Sequence, residues 1–345
     1  MFAQGGYWHP ATPHPRVQEQ RSAVRSHSAL YVDAGYLLSS AATRLTGSSL
    51  RRGIEVNYTA LISALTEVVQ RDSGLPLLRV YWYDAARDGK ANPVQEGIAL
   101  LPNVKLRLGR IGVDGEQKGV DLRIGLDLVG HSRAGRIDVM YLLSGDDDLT
   151  EAVEEAQAQG VQVTVLAVPS SSMRPHGVSR HLLHSADGLD LIDPAVLDRT
   201  VTSTPAPAID PPAKTAAVEP TVDSAPIDEV VPPRPSPAGV ARLVPPLTTR
   251  AAASHEGGGQ VQSASRTPAE LSESMNSVAR KTYSAWAATA SAGQLNELRA
   301  GRPAIPRDLD RALLVDLSMV LGEFELSDSM RFGVRAKFWE AVNNA

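Results

Sequence analysis

Apolar residues follow two alternating rhythms along the chain. Short, nearly continuous runs occupy residues 29–32 (ALYV), 77–83, 104–108, 137–143 (IDVMYLL) and 161–168 (VQVTVLAV). Runs of this length bounded by turn residues predict buried strands. Between them apolar positions recur at helical spacing. Leu61, Leu65, Val68 and Val69 predict a helix over 57–71, with Asn57 as its N-cap and Gly74 and Pro76 ending it. Further helices are expected over 93–101, 120–129 and 149–159, the last closed by Gly160. Strand alternating with helix predicts an α/β fold, its mostly parallel sheet covered on both faces. Such sheets bind ligands beyond the C-terminal ends of the strands, where strand order reverses.

The alternation stops near residue 196. Residues 197–268 hold 13 of the 24 prolines and no Phe, Trp or Tyr. Such a stretch cannot bury enough apolar surface to offset its ordering entropy. Four segments are therefore expected: a polar tail over 1–27, an α/β domain over 28–195, a Pro-rich disordered linker over 196–270, and a small helical module over 271–345. In the last, Tyr283 and Trp286 share helical spacing and Pro306 suits a first turn. Leu309, Leu313, Leu314 and Leu317 line one face, and 327–342 mixes Phe332, Phe338 and Trp339 with Arg331, Arg335 and Lys337. The module is expected to engage a partner, either nucleic acid through its basic residues or another protein, on a long tether.

Composition removes several classes. The chain of 345 residues has no cysteine, which excludes disulfides, zinc ribbons, iron–sulfur clusters and thiol nucleophiles. A formal net charge of −5 argues against a generally cationic nucleic-acid-binding surface. No apolar run approaches the roughly 20 residues of a membrane helix, and the first residues lack the apolar core of a secretory signal. The expected location is the cytoplasm, with no membrane partner. Phosphate-binding glycine loops (G-x-G-x-x-G, G-x-x-x-x-G-K-[ST]) and the G-x-S-x-G nucleophile elbow are missing. His181 and His184 form H-x-x-H without the zincin glutamate, so a metal role for them is not expected.

Carboxylates stand where the fold places ligands. Asp33 follows the first strand (YVDAGYLL), Asp146, Asp147 and Asp148 follow the fourth (YLLSGDDDL), and Asp121 opens a helix (KGVDLRIGLDL). If strands one and four are neighbours, these groups meet at the switch point. Like charges gathered in one cleft cannot all remain ionised unaided. Mg²⁺ or Mn²⁺, which take oxygen ligands, would resolve the repulsion and could activate a water for in-line attack on phosphorus. The alternative for each Asp after a strand is a helix N-cap. Arg174, His176 and Arg180, after the fifth strand, are candidates for a basic rim holding RNA, and Lys118 for a phosphate contact.

At these residues the sequence resembles the NYN family of PIN-like metal-dependent ribonucleases. The resemblance rests on YVDAGYLL, on KGVDLRIGLDL, on the strand ending S-G-D-x-D (LLSGDDDL), and on the following GVQVTVL. It implies a PIN-like three-layer α/β sandwich with a mostly parallel central sheet. It also implies an acidic Mg²⁺ or Mn²⁺ site of Asp33, Asp121, Asp146 and Asp148, with Asp127 as a weaker or outer member. Asp147 falls at the variable position and should point elsewhere. The sequence departs from the family at Ala34-Gly35-Tyr36, where many members carry Asn, and at Leu149, where Phe is usual. The implied activity is hydrolysis of RNA, leaving 5′-phosphate and 3′-hydroxyl ends. Two other readings stay open: a regulatory protein that keeps the fold but binds RNA or protein without cutting, and a phosphatase or nucleotide hydrolase using the same cleft. A homodimer is admissible but no residue argues for it.

Overall fold

The first apolar run lies at the centre of the sheet. In chain order the elements are β1 (Ser28–Asp33), α1 (Ala34–Thr46), β2 (Ile54–Val56), α2 (Tyr58–Ser73), β3 (Leu77–Arg87), α3 (Pro93–Ala99), β4 (Val104–Ile111) and β5 (Gln117–Lys118). There follow α4 (Val120–Arg133), β6 (Val139–Leu143), α5 (Thr150–Ala158), β7 (Gln162–Ala167), α6 (Arg180–Ser185), β8 (Gly188–Leu191), α7 (Pro194–Thr200) and β9 (Val201–Ser203). The helical module is α8 (Pro268–Ala287), α9 (Ala292–Ala300), α10 (Arg307–Leu321) and α11 (Asp328–Asn343). The computed structural model describes residues 26–111, 117–204, 266–323 and 326–345. Most of the expected tail and linker lies outside them.

The seven-stranded sheet runs β5-β4-β3-β1-β6-β7-β8. All neighbours are parallel except the two-residue β5, which is antiparallel to β4. The chain moves outward from β1 through β3 and β4, then returns to the other side of β1 at β6. The first and fourth predicted strands are thus neighbours, and strand order reverses between them.

The pleat sends alternate side chains to opposite faces. Leu30, Val32, Trp82 and Leu143 pack under Leu37 of α1 and Leu61 of α2. Tyr31, Tyr83, Met140 and Val165 pack under Ile124 of α4 and Val153 of α5. Sheet and two helical layers make a three-layer sandwich. Each such apolar side chain contributes about 1.5–3 kcal/mol by leaving water.

Local chemistry sets the element ends. Asn57 caps α2, its side chain accepting from the Ala60 amide at 3.0 Å, and Gly74 ends the helix in the left-handed region. β3 continues past residue 83 because Asp84, which would interrupt an apolar strand, accepts from Gln95 Nε2 at 2.7 Å. The fold also runs past residue 195, since α7 leads into β9, which pairs antiparallel with β2.

The module has its own core, in which Trp286, Leu313, Leu317 and Phe338 are buried together. Leu50, from the segment between α1 and β2, is buried in the same cluster. Beside it the Asp316 carboxylate of α10 accepts from Ser48 Oγ at 2.9 Å, the Ser49 amide at 3.0 Å and Thr282 Oγ1 at 3.3 Å. Arg52 donates to Thr289 Oγ1 at 3.0 Å and to the Thr289 carbonyl at 3.1 Å, and its guanidinium lies 5.5 Å from the Trp286 ring centre. The module therefore packs directly on the α/β domain through residues 48–52.

The basic residues of α11 are engaged within the module. Arg335 forms a two-pronged pair with Asp310 at 2.6 and 2.7 Å, Lys337 pairs with Glu340, and Arg331 donates to the Leu326 carbonyl. Phe332, expected among the apolar positions, is exposed. No helix among the described residues is long and apolar enough to cross a membrane.

Candidate active site

β1 ends at Asp33, which also N-caps α1. Its Oδ1 accepts from the Tyr36 amide at 3.2 Å, which leaves Oδ2 with Ser144 Oγ at 3.3 Å. β6 leads through Ser144 and Gly145 to Asp146, whose Oδ1 accepts from the Asp148 amide at 3.1 Å. Asp121 stands in the first turn of α4, behind the left-handed Gly119. The capping roles are real, but they occupy one oxygen of Asp33 and one of Asp146.

These three carboxylates line one cleft of about 1140 Å³. Burial pushes the Asp33 carboxyl up to about 6, and the Asp121 carboxylate pushes the same way. Burial also raises Asp121, with Asp148 as a further cause, and raises Asp146, with Asp121, Asp148 and Asp147 adding. Each carboxylate thus carries a cost that its hydrogen bonds and, for Asp33 and Asp121, the nearby arginines only partly offset, and a divalent cation would relieve it. The donor chemistry fits Mg²⁺ or Mn²⁺. As the side chains stand, however, no group of three acidic or histidine residues among the described ones is close enough to hold one ion.

The other candidates are placed differently. Asp148 does not line the cleft, but its charge reaches both Asp121 and Asp146. Asp147 turns away, accepting from Ser179 Oγ and lying 3.3 Å from His181 Nδ1. Asp127 does not belong to the cluster. Two turns down α4 from the cleft, it accepts from Tyr83 at 2.9 Å and pairs with Arg107 at 2.9 Å. Six residues carry a side chain well round the helix from Asp121. Lys118 pairs with Arg110 in the β5–β4 ladder. Arg174 and Arg180 are exposed and outside the cleft wall. His176 is placed poorly for a rim cation: its Nε2 is buried without a partner, and burial lowers its pKa, which favours the neutral ring.

Tyr36, where the sequence departs from the pattern it resembles, has a structural task. Its hydroxyl donates to the His176 carbonyl at 2.8 Å and accepts from the Val168 amide at 3.2 Å, tying the loop after β7 to the cleft. Gly145 lets that loop close. A Cβ there would fall 1.9 Å from the Gly177 carbonyl oxygen and 2.9 Å from Tyr36 Cε2. Gly145→Ala is therefore expected to displace the Asp146 turn and cost about 2 kcal/mol or more, measured by denaturant unfolding.

Sequence reasoning missed the cationic side of the cleft. Arg51, Arg52, Arg87, Arg307 and Arg311 all line it. Arg51 lies 4.0 Å from Asp84, and its charge also acts on Asp33. The only available signal was the i, i+4 spacing of Arg307 and Arg311, which puts both on one helix face.

A family model described as "NYN domain" matches residues 27–192. Among curated proteins, "Uncharacterized protein y4oD" of Sinorhizobium fredii is 45% identical over 74 residues, which is 21% of this chain and 35% of that protein. The chain therefore spans about a third of the length of that relative. No solved structure matches the chain.

Proposed function

We propose that the chain, whose residues 27–192 match the NYN domain model, is a metal-dependent ribonuclease acting at the Asp33–Asp121–Asp146 cleft. The observation that carries this reading is the gathering of three carboxylates, from the ends of β1 and β6 and the start of α4, in one cleft at the reversal of strand order. Asp33, Asp121 and Asp146 would hold Mg²⁺ or Mn²⁺, with the Asp148 charge behind them, and the ion would supply charge neutralisation and a more acidic water. The chain's own residues do the positioning. The Tyr36 amide and Ser144 fix both oxygens of Asp33. Ser144 Oγ also accepts from the Asp146 amide at 3.3 Å, so one hydroxyl couples the two strand ends. Tyr36 holds the 176–177 loop over the cleft. RNA is the substrate in this reading, and the cytoplasm is the compartment.

Incubation of a labelled RNA pool with the full chain and Mn²⁺ or Mg²⁺ is expected to give products with 5′-phosphate and 3′-hydroxyl ends. EDTA is expected to stop the reaction. Metal-independent cutting, or 2′,3′-cyclic phosphate ends, would sink the reading. The carboxylates do not converge on a point as they stand, and that favours a second reading, an RNA- or protein-binding protein that does not cut. Intact, folded protein that binds RNA without cleaving it under either metal would select the second.

A further inference from the structure

The acidic cleft has a second wall that belongs to the helical module. Residues 48–52 are held by Asp316, Thr289 and Trp286, and this docking brings α10 to the cleft. Arg307 and Arg311, one turn apart on α10, join Arg51 there, and Asp308, Ala312, Val315 and Met319 complete the face. The packing is close, since a Cβ on Gly177 would lie 2.9 Å from Met319 Cε. The cleft is bipolar. Asp33, Asp121 and Asp146 come from the α/β domain, while Arg307 and Arg311 come from a helix that follows the linker. The arginine charge acts across the gap, because Arg311 is among the causes that lower the Asp121 pKa. Arg311 is exposed and forms no salt bridge among the described residues.

We infer that Arg307 and Arg311 bind the phosphodiester backbone of single-stranded RNA, so that the helical module forms half of the substrate-binding cleft. The inference rests on RNA being the ligand of this cleft, as proposed above. An acidic protein with a carboxylate cluster repels a polyanion unless cations stand close to the path of the backbone. Guanidinium groups suit phosphate oxygens because they donate in a planar fork. Of the module's helices, α10 is the one whose arginines line the cleft.

The test is anisotropy of a labelled single-stranded oligoribonucleotide titrated with the full chain in EDTA, over a range of salt. Arg307→Ala with Arg311→Ala is expected to weaken binding about 10-fold or more. It is also expected to flatten the log–log salt dependence by about 1.4, at ~0.7 for each phosphate no longer neutralised. Arg71→Ala with Arg199→Ala, both exposed and outside the cleft wall, is expected to leave both unchanged. Arg311→Gln alone, a mild change at an exposed position, should lower the salt slope by about 0.7 and guards against misfolding of the double variant. Unchanged affinity and slope in the folded Arg311→Gln and double variants would overturn the proposal, as would wild-type protein that does not bind RNA. Wild-type binding through these arginines without cleavage would remove the nuclease reading and leave this one. Cleavage by wild type, with RNA binding indifferent to both arginines, would do the reverse.

Discussion

Asp33→Asn is expected to stabilise the metal-free protein while removing one of the proposed metal ligands. Burial raises the Asp33 carboxyl from its usual value to about 6, so the folded state holds this proton more tightly than the unfolded state. The sign follows from linkage: the contribution is most favourable below the unfolded pKa and is lost as pH rises through about 6. A rise of that size corresponds to roughly 2–3 kcal/mol. Asparagine is neutral at every pH and can still accept from the Tyr36 amide as an N-cap. The two proteins should therefore unfold at nearly the same denaturant concentration near pH 4 in EDTA. Near pH 7.5 the variant should be more stable by about 2 kcal/mol. A variant less stable than wild type at pH 7.5 would mean that the carboxylate is compensated in the folded protein and is not a strained ligand.

Asp316→Ala is expected to have the largest effect on the assembly of the cleft. This buried carboxylate accepts from Ser48, Ser49 and Thr282, joining the α/β domain to α8 and α10. Alanine strands those donors away from water, a loss on the order of 3 kcal/mol. Burial outweighs the hydrogen bonds in setting the Asp316 pKa, which lies above the usual carboxylate range. The negative charge itself is therefore not what holds the joint. Asp316→Asn, which keeps an acceptor, should retain most of the stability. Undocking by Asp316→Ala should also weaken RNA binding as the removal of Arg307 and Arg311 does. Denaturant unfolding and RNA anisotropy on both variants check this. Full RNA affinity in an undocked Asp316→Ala protein would show that the module's position does not matter to the cleft.

The parts of this fold that depend on local pattern were legible in the sequence. The run at 137–143 is apolar enough to be a central strand, and Asn57 and Gly74 mark the helix between them by their own backbone chemistry. Asp33 and Asp146 could be placed because their strands are adjacent in the sheet, which the order of elements implies. The parts that depend on distant contacts were not legible. β8 is four residues with Asp190 in its middle, and it becomes a strand by pairing with β7. α7 and β9 lie at a composition boundary, and β9 is fixed by β2. Asp127 has the same local signal as Asp121, but Tyr83 and Arg107 take it elsewhere. Arg51 and Arg311 meet at the cleft through a joint in which Asp316, an acidic residue in a helix of otherwise amphipathic pattern, is buried against Ser48 and Ser49 and Arg52 meets Thr289. No local pattern marks such a residue as a joint.

If the carboxylates at the ends of β1 and β6 carry out phosphodiester hydrolysis, neutralising one of them must remove cleavage without removing the fold. The decisive comparison is RNA cleavage by the wild-type chain and Asp146→Asn at the same Mn²⁺ concentration, with folding of both checked by denaturant unfolding. The expected result is a fall of about 1,000-fold, corresponding to ~4 kcal/mol of lost transition-state stabilisation, in a protein that still folds and still binds RNA. Equal cleavage by the two proteins would place the hydrolytic chemistry somewhere other than this cleft.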